Sequence, residues 1–162
     1  MSVRISATDW APGGLSEDDL IAACRMIKDA GIDAINVSTG QTVSDQQPVY
    51  GRMYQVPFSD KIRHKVGIPT IVAGNITTAD QVNTIIMAGR ADLVALARPH
   101  LTEPHFTLHA GAWYGVEFED NWAKQYHSAM LQAHRLAERD KAEWREMKLA
   151  MRPPSHEVND ET

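Results

Sequence analysis

Short apolar runs recur four times along this chain, and each is followed by a stretch with helical spacing. No other feature constrains the fold as strongly. The runs are Val3 to Ala7, Ala34 to Ser38, Thr70 to Ala73 and Asp92 to Ala97. Near-continuous apolar strands alternating with amphipathic helices imply parallel strands covered by helices. The expected fold class is therefore α/β, either a barrel or an open sheet. Four βα units make half of a (β/α)8 barrel, whose usual length is about 250 residues. In a half barrel both outer strands are unpaired edges, which proteins seldom leave exposed. Pairing with another chain, a second copy or the missing half, is the expected remedy.

The helices carry their own punctuation. Ser16 is a good N-cap, with Asp19 three residues on to favour the helix start. Leu20, Ile21, Cys24 and Ile27 follow at helical spacing, and Gly31 ends the helix. A long loop from Thr39 to about Gln55 precedes a short helix marked by Phe58, Ile62 and Val66. Loops of that length are often functional. Thr78 caps the next helix, which carries Val82, Ile85 and Ile86 and stops at Gly89. A helical stretch from Phe106 to Ala110 follows the fourth strand.

The character changes near Asp120. Trp122, Tyr126, Ala129, Ala133 and Leu136 are spaced by four and three residues, an amphipathic helix that continues towards Trp144 and Met147. The charge-rich run from Glu138 to Lys148 is its solvated face. The expected organisation is a half barrel over residues 1–112, a helical extension over 113–150 and a tail over 151–162. That tail has too little to bury to stay ordered.

Composition enters mainly as exclusions. A formal net charge of −5 argues against a nucleic-acid partner. Cys24 is the single cysteine, so no internal disulfide is possible, and there is no CxxC or Cys/His zinc spacing. No apolar run reaches the roughly 18 residues that span a bilayer. A reducing, cytoplasmic setting and no membrane partner are the expectation.

Two strand ends could carry chemistry. At the third, Gly74 and Asn75 lead into the helix capped by Thr78. A residue without Cβ lets an anion approach the backbone, and turn N–H groups at a helix start suit it. At the fourth, Ala97 and Arg98 place a guanidinium next to that position, and arginine offers planar, bidentate donors to phosphate oxygens. Barrels frequently bind phosphate on the loops after their last two strands. The alternative is a tight turn at Gly74 and a surface Arg98 paired with Glu103 or Asp80. Arg4 lies within an apolar strand, where an unpaired charge is costly. It either faces a buried anionic partner or lets its guanidinium reach solvent at an edge.

Weaker candidates are Asp9 and Trp10 at the first strand end, and Tyr50, Arg52 and Tyr54 in the long loop. His100, His105 and His109 cluster after the fourth strand without a supporting metal pattern. Cys24 sits on an apolar helix face and is expected to be a packed thiol.

From Val3 to Leu101 the chain resembles the C-terminal half of the Old Yellow Enzyme family of FMN-dependent NAD(P)H oxidoreductases. The resemblance rests on VRISATDW, DAINVSTG, YQVPFSDKIR, IPTIVAGNITT and GRADLVALARPHLTEP, in that order. Within the family it is similar to the reductase-like domain of aminobenzoyl-CoA and salicylyl-CoA hydroxylating fusion proteins. The resemblance implies a TIM-barrel half with FMN as cofactor, NAD(P)H as electron donor and a small-molecule substrate. It implies that Arg4 contacts the flavin ring. Gly74 and Asn75 match the phosphate loop after the seventh barrel strand. Ala97 and Arg98 match the family's Gly-Arg pair after the eighth, with Ala97 a departure. The family's substrate-polarising His/His or His/Asn pair and tyrosine proton donor come from the N-terminal half, and no segment here matches them. No catalytic residue is therefore expected in this chain.

The implied activity is hydride transfer through flavin to an activated alkene or enone, with a CoA thioester as one such substrate. The competing expectation is a non-catalytic half barrel that binds phosphate ligands or assembles with itself. A sugar-phosphate isomerase or aldolase ranks last, since no strand here ends in lysine.

Overall fold

A computed structural model describes residues 1–116 and 122–151. The chain divides into two compact units, Met1–Pro104 and the segment from His105 onward.

The first unit is a four-stranded, all-parallel sheet in sequential order. Its strands are β1 (Ser2–Ser6), β2 (Ala34–Ser38), β3 (Thr70–Val72) and β4 (Leu93–Val94). Helix α1 (Glu17–Asp29) joins β1 to β2, α2 (Val56–Val66) joins β2 to β3, and α3 (Ala79–Met87) joins β3 to β4. A short helix, α4 (Arg98–Thr102), follows β4. Sequential order decides between the two α/β architectures. A doubly wound sheet reverses its strand order at a switch point, whereas a barrel adds each strand beside the last. Among the described residues β1 pairs only with β2, and β4 only with β3.

The expected strand chemistry needs a correction. The strands are not apolar on both faces. Ile35 and Val37 of β2 are wholly buried towards the helices, while Ala34, Asn36 and Ser38 between them are only half-buried. The other face carries Arg4, Asn36, Ile71 and Leu93 in register across the sheet, with Arg4 and Leu93 exposed. One face is therefore core and the other is open.

Two apolar clusters fill the helix side. Leu20, Ile21, Cys24, Ile35, Val37 and Ile62 form the larger, between the first two strands and α1 and α2. Val56, Val72, Ile76, Ile85 and Ala91 form the second around β3. The helix starts follow the sequence closely. The Ser16 hydroxyl accepts the Asp19 N–H at 3.2 Å, and that of Thr78 accepts the Gln81 N–H at 3.3 Å. Glu17 ties α1 to α2 by ion pairs to Lys61 and Lys65, whose hydrogen bonds hold its carboxyl down at about 2.

The end of the sheet opposite the βα loops is held by polar contacts. Arg63 grips both oxygens of Asp92 at 3.1–3.2 Å, and Asp92 also accepts the Thr70 N–H at 2.9 Å. Arg63 chiefly, and the Thr70 N–H after it, keep the Asp92 carboxyl below its ordinary range. A carboxylate with a lowered folded pKa stabilises the fold above its unfolded value and ceases to as pH falls through the folded one. Asp92→Asn should therefore lower the thermal midpoint at about pH 7, and the deficit should shrink as pH approaches about 3. An equal deficit at both pH values, measured by circular dichroism, would show that the charge contributes nothing.

In the second unit, α5 (Phe106–Tyr114) and α6 (His127–Ala150) pack on each other, with a short 3-10 turn over Lys124–Tyr126 before α6. Here the expected helix face was rotated. Met130 and Ala137 are buried, whereas Ala129 and Leu136 are exposed, and Trp122 and Tyr126 precede the helix. The expected tail over 151–162 lies, beyond Met151, outside the described residues.

Candidate functional site

Parallel strands bring all four βα loops to one end of the sheet. Among the described residues four non-glycine residues have positive φ, namely Trp10, Gln41, Met53 and Asn75, and all lie in those loops. Each such residue costs about 1–2 kcal/mol, and strain of this kind concentrates at functional ends of folds.

The loop after β3 has Gly74 at φ +98° and Asn75 at φ +51°. Thr77 donates its N–H to Gln81 Oε1 at 2.8 Å, and Thr78 caps α3. Just before them, the N–H groups of Gly74, Asn75 and Ile76 find no protein acceptor among the described residues. The loop after β4 repeats this. Ala97 is the N-cap of α4, Arg98 its first residue and Pro99 its second. The N–H groups of Ala97 and Arg98 also find no protein acceptor there, and the Arg98 side chain is exposed. β3 and β4 are hydrogen-bonded neighbours, Ala95 N–H to Val72 C=O at 2.8 Å. Gly74 lies two residues beyond Val72, and Arg98 four beyond its partner Val94. The fold thus brings Gly74, Asn75, Ala97 and Arg98 to adjacent strand ends as a cluster of donors. Such a cluster suits an oxyanion.

Arg4 stands apart from them on the open face of β1, with β2 between it and β3. Its guanidinium donates to Asn36 Oδ1 at 3.1 Å and Ser38 Oγ at 3.0 Å. It is exposed, so solvent and these two neighbours meet its needs within the chain.

The weaker candidates mostly do structural work. Asp9 accepts the Thr42 hydroxyl and the Leu15 N–H (2.8 Å), which lower its pKa and hold two loops together. Trp10 packs edge-on against Phe58, and its buried Nε1 has no protein partner among the described residues. Burial pushes the Cys24 thiol up to about 11, too high for a nucleophile at neutral pH. Tyr50 is exposed and meets Tyr54 edge-on at 5.3 Å. Among the described residues no three His, Cys, Asp or Glu side chains gather as a metal site would require.

Sequence reasoning overlooked Gln55. It is 4% exposed, and its side chain lies flush against Gly74, where an added Cβ would sit 2.8 Å from Gln55 Cγ and 2.9 Å from Cδ. It stands at the N-cap of α2 but makes no side-chain cap bond, so its amide is directed elsewhere.

The sequential parallel sheet defines a β/α-barrel segment, and its strand-end donors are of a kind that suits an oxyanion. The model of the NADH:flavin oxidoreductase / NADH oxidase family matches residues 1–112. The chain belongs to that family, the Old Yellow Enzyme family. An NADPH dehydrogenase of Listeria welshimeri is 42% identical over 127 residues, covering 78% of this chain and 37% of that protein. One from Geobacillus thermodenitrificans is 41% identical over 117 residues, covering 72% and 34%. The chain thus spans about a third of the length of these curated relatives. A solved 2-naphthoyl-CoA reductase in complex with 2-naphthoyl-CoA shares the fold, with a TM-score of 0.58 and 21% identity. That match covers 70% of this chain and 18% of the reductase chain.

Proposed function

We propose that this chain is the cofactor-holding half of an FMN-dependent NAD(P)H oxidoreductase barrel. The observation that carries the proposal is the set of N–H donors on two neighbouring strand ends that find no acceptor among the described residues, with Arg98 beside them, in a chain of a flavin oxidoreductase family. Gly74, Asn75 and Ala97 hold the FMN phosphate through backbone N–H groups, and Arg98 supplies the countercharge. Arg4, on the open face, contacts the isoalloxazine ring. Bound FMN supplies hydride transfer from NAD(P)H to an electron-poor double bond. The relatives' name favours NADPH as donor. The substrate is an activated alkene or enone, and a CoA thioester belongs to that class.

The edges of β1 and β4, unpaired among the described residues, favour a partner that closes the barrel. An N-terminal half barrel would bring the substrate-binding residues as well, whereas a second copy of this chain would bring only another cradle. The latter corresponds to a non-catalytic, self-assembling module. The purified protein should quench FMN fluorescence in a saturable titration. A colourless protein that fails to bind FMN would overturn the proposal, and one that binds FMN but leaves NAD(P)H unoxidised would confine it to the cofactor-holding role.

A further inference from the structure

We infer that Gln55 is a positioning residue that aims the backbone donors of the loop after β3 at the bound anion. The inference rests on the phosphate reading of that loop. The Gln55 amide is assigned on hydrogen-bond grounds, in the orientation that matches donors to acceptors. Its Oε1 then accepts from the N–H and hydroxyl of Thr39 at 3.3 and 3.2 Å and from the Tyr54 hydroxyl at 3.1 Å. Its Nε2 donates to the Ala73 carbonyl at 3.3 Å. Two residues earlier, the Met53 N–H donates to the Asn75 carbonyl, also at 3.3 Å.

Peptide geometry turns these contacts into a direction. In a trans peptide the C=O of one residue and the N–H of the next point opposite ways, and no peptide among the described residues is cis. Gln55 draws the Ala73 carbonyl towards itself, so the Gly74 N–H points away from it. Met53 draws the Asn75 carbonyl, so the Ile76 N–H likewise points away from Met53. One short segment thus grips two alternate carbonyls and directs two alternate N–H groups outward, and neither N–H has a protein acceptor among the described residues. The Gln55 side chain also fills the space where a side chain at position 74 would lie. A buried amide bonded through both its oxygen and its nitrogen is held in place, and such rigidity preorganises the donors.

Gln55→Glu keeps the shape and the oxygen that Thr39 and Tyr54 use, but replaces the donor to Ala73 with a second oxygen. Gln55→Met keeps the volume and removes both polar groups. In each variant FMN should bind about tenfold or more weakly, while riboflavin, which lacks the phosphate, keeps its affinity within about twofold. Retained preference for FMN over riboflavin in a folded variant overturns the inference and leaves the phosphate reading standing. Equal loss of both flavins, or loss of the fold in both variants, makes Gln55 a structural residue only and also overturns it. If the unaltered protein binds flavin without preferring FMN, the phosphate reading itself falls.

Discussion

Gly74→Ala is expected to destabilise the first unit by about 2–5 kcal/mol, the sum of backbone strain and overpacking. Gly74 holds φ at +98°, where an L side chain is strained. A methyl there would also meet Gln55 Cγ at 2.8 Å and Cδ at 2.9 Å. Gln55 cannot withdraw cheaply, because it is buried and its amide is engaged on both sides. Gly13 provides the internal control, since it has φ +74° and nothing within 4 Å of an added Cβ. Gly13→Ala should therefore pay the strain alone, about 1–2 kcal/mol. Urea unfolding of the two variants separates the contributions. Equal losses would mean that Gln55 yields freely, and the clamp described above would lose its rigid element.

Arg98→Ala has the largest expected effect on ligand binding. The side chain is exposed and opens a five-residue helix, so its removal should leave the fold intact. A guanidinium on a phosphate makes charge-assisted, bidentate hydrogen bonds, each stronger than a neutral one. Losing them should weaken FMN binding about ten- to a hundredfold. Arg98→Lys should recover only part of that loss, because a point charge cannot form the paired contact.

Much of the architecture was legible in the sequence, and particular residues show why. Ser16 and Thr78 cap helices through their own neighbours, so local pattern suffices to find them. β2 spans Ala34–Ser38 as expected, because its apolar residues and bounding loops are all local. The fourth strand was expected from Asp92 to Ala97 and is only Leu93–Val94. Asp92 is instead taken by Arg63 and Thr70, and Arg98 already begins α4. That helix escaped notice because Pro99 resembles a stop, although proline is well placed in a first helical turn. Gln55 was invisible for a different reason. A neutral amide carries no charge signal and no periodicity, and its partners Thr39 and Ala73 lie 16 and 18 residues away in sequence. The face of α6 was misjudged because alanine and leucine at helical spacing occur on two sides of it, and only packing on α5 selects Met130 and Ala137.

Gly74 and Arg98 carry the central claim, that two adjacent strand ends hold the phosphate of FMN. The most direct test is equilibrium titration of the protein and its Arg98→Ala variant with FMN and with riboflavin. The unaltered protein should prefer FMN, and the variant should lose that preference while binding riboflavin as before. A variant that still prefers FMN to the same degree would place the phosphate elsewhere and contradict the assignment.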